Sequence, residues 1–256
     1  MTRTLTCQSF CETSCLNNHL AGMLFEVEYH KTWAAFFEDP DVKAAISDIE
    51  AQIAGQDFFP LVDDVLRFSS VDLSQVRYVL VGQDPYHSLD KEHRRPQATG
   101  RSFEAYELIG EGWDHPIRQR SLQNILKALY YAQTGKKASL PRIRELISTG
   151  EFHVAPPGEL FVNLERQGIL FLNATLTVPP GEPGKHHILW KEFRRRLVDY
   201  IVTRKPDAEW ILWGDDVKKL IGPLPTNVKT HECCHPRRLE FIEQSNISSI
   251  DVSWAV

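Results

Sequence analysis

The chain has 256 residues with a net charge of −5, 42% hydrophobic and 25% charged residues. This is the balance of a globular domain with one sizeable core, and it excludes disordered and fibrous classes. The net charge carries no global basic excess, so any nucleic-acid contact must rest on a local patch.

No apolar run reaches bilayer-spanning length, and residues 1–20 lack the continuous hydrophobic stretch of a secretory signal, so a cytoplasmic location and no membrane contact are the expectation. Residues 1–25 read as a variable N-terminal segment. They carry Cys7, Cys11 and Cys15 at four-residue steps; Cys233 and Cys234 complete an odd set of five. That count argues against a disulfide framework. The C-x3-C-x3-C run fits one face of a short helix, and it also fits a contribution to a metal or iron–sulfur site, which normally needs a fourth ligand and tighter spacing.

Between Tyr29 and Gln56 the apolar residues Trp33, Phe36, Phe37, Val42, Ala45, Ile46, Ile49 and Ile53 recur at helical spacing, and Asp39-Pro40 divides them into two helices. VDDVLRFSS predicts one more short helix. Val76–Val81 is nearly all apolar and stops at Gly82, the pattern of a parallel strand buried on both faces. SLQNILKALYYA predicts a helix with Ser121 as its N-cap. Gly168 opens a second strand, ILFLNATLTV. Residues 188–202 form an amphipathic helix whose inner face is Leu189, Phe193, Leu197, Tyr200 and Ile201. EWILW, halted by Gly214, is a third strand; Asp215–Ile221 is a short helix; residues 227–232 form a fourth strand leading into CCHPRRL. Strands alternating with helices predict a single α/β domain: a central, mainly parallel four-stranded sheet flanked by helices in three α/β/α layers.

Several strands end in polar or glycine punctuation: Gln83-Asp84, Asn173, Gly214 and the region of His235. Ligands of open parallel sheets bind beyond the carboxyl ends of the strands, so these groups can converge on one pocket. A carboxylate at Asp84 can position a water or stabilise developing positive charge, or it can cap a turn before Pro85. Asn173 interrupts an apolar strand with an amide that must be satisfied. Its donor and acceptor match the O4 and N3–H edge of a uracil ring, or they bond a neighbouring loop. His235 can donate to a developing oxyanion, or be a loop histidine without a role.

GQDPYH after an apolar strand, SLQNI opening a helix, GILFLNATLTV, ILWG and HP-x-x-L, in this order, resemble the family 1 uracil-DNA glycosylases from about Trp33 to Leu239. The resemblance implies a DNA-repair hydrolase that flips deoxyuridine out of DNA and cleaves its N-glycosidic bond, starting base-excision repair without metal or cofactor. By that similarity, Asp84 orients the water and stabilises an oxocarbenium-like sugar. Gln83 offers a backbone group, Tyr86 blocks the thymine methyl, Phe103 stacks on the base, Asn173 reads its edge, and His235 donates to O2 while neutral. Leu239 is the wedge that fills the vacated stack, and Ser121 grips a phosphate. The implied partners are uracil-containing DNA and a small DNA-mimicking protein inhibitor, with the chain monomeric.

The chain departs from that pattern in four places. The segment after GQDPYH is longer, near 88–97, and Thr99 stands where the family has histidine; Lys91, His93, Arg94 and Arg95 here can contact phosphates or form a solvated loop. The prolines before Ser121 are replaced by RQR, so Arg118 and Arg120 substitute by charge. Lys185, Arg237 and Arg238 stand where the family has phosphate-gripping Ser and Pro residues, which predicts steep salt dependence. Finally, 133–160 reads as a surface insertion without a catalytic part, although Lys136, Lys137, Arg142 and Arg144 can extend a DNA-binding face. These changed phosphate contacts motivate an alternative function: a catalytically weak DNA-binding protein that retains the glycosylase fold.

Overall fold

The computed structural model describes residues 28–90 and 94–255; Cys7, Cys11, Cys15, Lys91 and His93 lie outside them. Six strands are present among the described residues: β1 Tyr78–Gly82, β2 Leu89–Asp90, β3 Arg95–Pro96, β4 Ile169–Asn173, β5 Glu209–Trp213 and β6 Thr230–Cys233. Four of them form one all-parallel sheet in the order β4-β1-β5-β6, and β2 and β3 form a separate antiparallel hairpin within the segment after GQDPYH.

The sheet is covered on both faces, as its uninterrupted apolar strands require. Val79, Val81, Leu170, Leu172, Trp210 and Leu212 point to one core, shared with helices Ala34–Glu38, Pro40–Ile53, Lys191–Arg204 and Asp215–Ile221. Tyr78, Leu80, Ile169, Phe171, Ile211 and Trp213 point to the other, shared with helices Arg120–Thr134, Leu140–Ser148, Pro157–Arg166 and Phe241–Gln244. The three-layer α/β expectation therefore stands. No helix among the described residues is long and apolar enough to cross a membrane.

Several boundaries differ from expectation for local reasons. The strand expected across ILFLNATLTV stops at Asn173. Ala174 and Thr175 still donate to the Gly82 and Gln83 carbonyls, but Pro85 cannot donate and the ladder cannot continue; Val178 instead meets Phe59 in an isolated antiparallel bridge. The fourth strand begins at Thr230 because residues 225–228 are occupied by a turn closed from Val228 N–H to the Pro225 carbonyl. The amphipathic helix starts at Lys191, leaving Ile188 84% exposed.

Segment 133–160 is not a mere surface insertion. Its helix Leu140–Ser148 buries Ile143 and Leu146, and Pro157–Arg166, which it leads into, buries Leu160, Phe161 and Leu164 in the second core. Three of the four cations named above are committed within the chain: Lys137 pairs with Glu243, Arg142 with Glu145, and Arg144 donates to the His115 carbonyl at 2.6 Å; the fourth, Lys136, is exposed.

The topology decides where a ligand fits. After β1 the chain adds β4 on one side and then β5 on the other, so β1 is the point at which the strand order reverses. The crevice of such a sheet opens above the carboxyl end of that strand, where GQDPYH begins.

Candidate active site

A cavity of about 510 Å³ opens there, within the range of small-ligand sites. It is lined by residues 82–88, Arg101, Phe103, residues 118–121, Asn173, Pro183, His235 and Arg237. Expected residues Gln83, Asp84, Tyr86, Phe103, Ser121, Asn173, His235 and Arg237 are thus brought together from points up to 154 positions apart.

Asn173 ends β4 directly opposite Gly82. It is 4% exposed, lines the cavity, and its amide has no hydrogen-bond partner among the described residues. Glycine at 82 makes this possible: a Cβ there would lie 2.4 Å from Asn173 Oδ1 and 3.0 Å from Ser102 Cβ.

Asp84 leaves β1 with its side chain 7% exposed. One oxygen meets His187 Nε2 at 2.8 Å, and the other accepts from Gly184 N–H at 3.0 Å. Burial pushes its pKa above the ordinary carboxylate value; the His187 charge and hydrogen bond and the Gly184 N–H oppose that rise. His187 was not singled out from sequence. Its neighbour His186 is instead buried with Nδ1 2.9 Å from the Thr177 hydroxyl. The HH doublet in GKHH was the available signal, and only the fold separates the two rings.

His235 follows β6. Its Nδ1 accepts the Arg237 backbone N–H at 3.0 Å, so in the neutral ring the proton sits on Nε2 and is free to be donated. Burial, then the Arg237 charge, hold its pKa below the usual histidine value. Gly214, at φ +118 beyond β5, packs against this ring; a Cβ there would sit 3.2 Å from the His235 Cβ and Cδ2.

Tyr86 and Phe103 face the cavity as a linked pair. The Tyr86 hydroxyl lies 2.9 Å from Ser121 Oγ and donates to the Phe103 carbonyl at 3.3 Å. Phe103 adopts φ 65, uncommon for a side-chain-bearing residue, and its ring lies 5.8 Å from that of Trp213. The segment carrying Phe103 is braced by buried carboxylates: Glu104 takes the Thr99 hydroxyl at 2.6 Å and Arg101, while Glu107 takes Gln97 and the Arg118 N–H. Thr99 therefore has a structural partner of its own.

No family model matches the chain. It is 29% identical over 190 residues to the uracil-DNA glycosylase of Equine herpesvirus 1, covering 73% of this chain and 51% of that protein, so it spans about half of that relative's length. It is 28% identical over 228 residues to the uracil-DNA glycosylase of Corynebacterium glutamicum, covering 84% of each. The solved structure of the enzyme from Nitratifractor salsuginis superposes with a TM-score of 0.63 at 25% identity, covering 86% of this chain and 88% of that one. In sequence and in fold the chain is similar to uracil-DNA glycosylases.

Against the family pattern, the rim is rearranged. Ser121 is not an N-cap: the helix starts at Arg120 after an extended Gln119, which puts Ser121 inside the first turn. It is 4% exposed with its hydroxyl turned to Tyr86, a geometry that does not present it to a phosphate. Lys185 is exposed but tied to Glu182, Arg238 to Glu240, and Arg118 lies near Asp90 and Glu107. Arg120 and Arg237 line the cavity with no carboxylate in ion-pair reach among the described residues. Arg95 is stacked over the Tyr106 ring at 4.5 Å, and Arg94 is exposed at φ 53. Leu239 is 58% exposed. The turn that presents it is held by Asn124, whose Nδ2 donates to the Pro236 carbonyl at 2.8 Å and to that of Arg238 at 3.3 Å. Sequence reasoning used SLQNI as a marker but assigned Asn124 no role.

Proposed function

We propose that this chain flips deoxyuridine out of DNA and hydrolyses its N-glycosidic bond, releasing uracil at the start of base-excision repair. The observation that carries the reading is Asn173, a 4%-exposed residue at the cavity wall whose amide has no hydrogen-bond partner among the described residues. An amide facing a cavity with both its groups uncommitted is ready to be completed by a ligand edge. An N–H to O4 and an Oδ1 accepting from N3–H satisfy both of its groups on uracil.

The remaining groups then take consistent positions. Phe103 stacks on the base, and the Tyr86 ring stands against C5, where a thymine methyl would clash. Gln83 contributes backbone to the same wall. Asp84, ionised and oriented by His187 and Gly184, directs a water to the anomeric carbon and stabilises the cationic sugar. As the N1–C1′ bond breaks, the electron pair leaves with the base, and the Nε2–H of a neutral His235 stabilises the anion at O2. Flipping costs a few kcal/mol, least for a weakly paired base, and an exposed leucine such as Leu239 suits the vacated stack. Arg120 and Arg237 supply the phosphate-facing charge, with Lys185 and Arg238 further out. A small acidic protein that mimics DNA would seat on the same rim and act as an inhibitor.

The test is incubation of the protein with single- and double-stranded oligonucleotides carrying one uracil, followed by alkaline cleavage of abasic sites. Scission at uracil and none at thymine is the expected result. Retained DNA binding without scission would leave a binding protein that has kept the fold.

A further inference from the structure

We propose that Ser121 is a specificity-determining positioning residue, which acts through the Tyr86 hydroxyl to fix the wall that faces position 5 of the base. The inference rests on the uracil-excising reading above and names how that site rejects 5-substituted pyrimidines. Position 5 is policed by a ring, and a ring rejects a methyl group only if it cannot move aside. Tyr86 is attached to the site by its hydroxyl at two points, Ser121 Oγ at 2.9 Å and the Phe103 carbonyl at 3.3 Å. A carbonyl only accepts, so Tyr86 donates to Phe103 and takes the Ser121 O–H proton in turn. The three groups form one directed chain, Ser121 to Tyr86 to Phe103. It ties the wall at position 5 to the backbone of the residue facing the base plane, itself held at a positive φ.

Three further observations support the assignment. Ser121 is 4% exposed at the cavity wall, with its hydroxyl turned to Tyr86 rather than to the outer surface. It stands in the first turn of a helix that buries Leu122, Asn124, Ile125 and Leu126, so its position is set by the core. Burial also keeps the Tyr86 phenol protonated, pushing its pKa well above the ordinary value, so the donor to Phe103 persists throughout the working pH range.

The experiment compares kcat/KM for oligonucleotides carrying uracil, 5-bromouracil or thymine in the wild-type chain, Ser121→Ala, Ser121→Thr, Tyr86→Phe and the Ser121→Ala/Tyr86→Phe double variant, with Tm recorded for each. Bromine is close to methyl in size. Its effect on leaving-group reactivity cancels when the 5-bromouracil-to-uracil ratio of a variant is divided by that of the wild type. Loss of one neutral hydrogen bond predicts a rise of roughly three- to tenfold in that ratio for Ser121→Ala. Ser121→Thr, which keeps the hydroxyl, restores the wild-type ratio. Tyr86→Phe raises the ratio at least as far, and the double variant goes no further than Tyr86→Phe alone, because Ser121 acts through the hydroxyl already removed. An unchanged ratio in Ser121→Ala, with uracil and 5-bromouracil falling together and Tm lowered, would reduce Ser121 to a packing role and overturn the proposal while leaving uracil excision intact. A wild-type chain inactive on uracil would overturn both.

Discussion

Gly82 and Asn173 face each other at the ends of two paired parallel strands, and the Asn173 amide oxygen stands 2.4 Å from where a Gly82 Cβ would be. The Asn173 amide is seated in space that only glycine leaves open. Gly82→Ala must push it out of place, since Ser102 blocks the other side at 3.0 Å. The expected cost is about 1–3 kcal/mol, or several degrees in Tm. Displacement of the amide should lower kcat/KM on uracil by about a hundredfold. Thermal melts together with steady-state kinetics check both.

Asp84 gives two pH predictions. In the proposed reaction it works as a carboxylate, and burial holds its pKa above the ordinary aspartate value of 3.8, so kcat/KM should fall with acid at a higher pH than for a free aspartate. His187 opposes that rise; His187→Ala should therefore move the acid limb to still higher pH, measured as the pH profile of kcat/KM.

The same shift has a stability consequence. A carboxylate whose pKa is raised by folding favours its protonated form in the native state, so its ionisation costs stability above the unfolded value. Asp84→Asn should abolish activity yet melt no lower, and by this argument higher, than the wild type at pH 7. The advantage should fade towards pH 4. Melting curves at the two pH values test it, and a lower Tm at pH 7 alone would contradict it.

Asn124 holds two carbonyls of the turn that presents Leu239. Asn124→Ala should cost about 1–3 kcal/mol in stability. Like Leu239→Ala, it should reduce uracil release from duplex DNA more than from single strands, where no stack has to be filled. The ratio of the two rates is the measurement.

Arg120 and Arg237 line the cavity with no carboxylate partner among the described residues, whereas Lys185 and Arg238 are each held by a glutamate. Removing Arg120 or Arg237 should flatten the slope of log K against log[salt] by about one. Removing Lys185 or Arg238 should change it less. Fluorescence anisotropy over a salt series distinguishes the pairs.

The sheet was readable because each strand is a short apolar run closed by glycine or a polar residue, and its polar ends located the cavity before any coordinates. Ser121 reads as an N-cap because a serine before an apolar periodic run carries the usual N-cap signal; the cap is instead the extended Gln119, two residues earlier. His186 and His187 are indistinguishable in a doublet until the turn after Pro183 turns one ring to Thr177 and the other to Asp84. The role of Asn124 depends on a partner 112 residues away, which spacing cannot reveal. Segment 133–160, with the helix at 140–148 and the start of that at 157–166, reads as a surface insertion because comparison with a shorter pattern marks extra residues without saying what they bury.

The most direct test of the account is base release by Asn173→Asp. The carboxylate can accept from the exocyclic amino group of cytosine and no longer donates to uracil O4. The account predicts that cytosine release appears while uracil release falls. Uracil release near the wild-type rate, with no cytosine released, would contradict the assignment of Asn173 as the residue that reads the base.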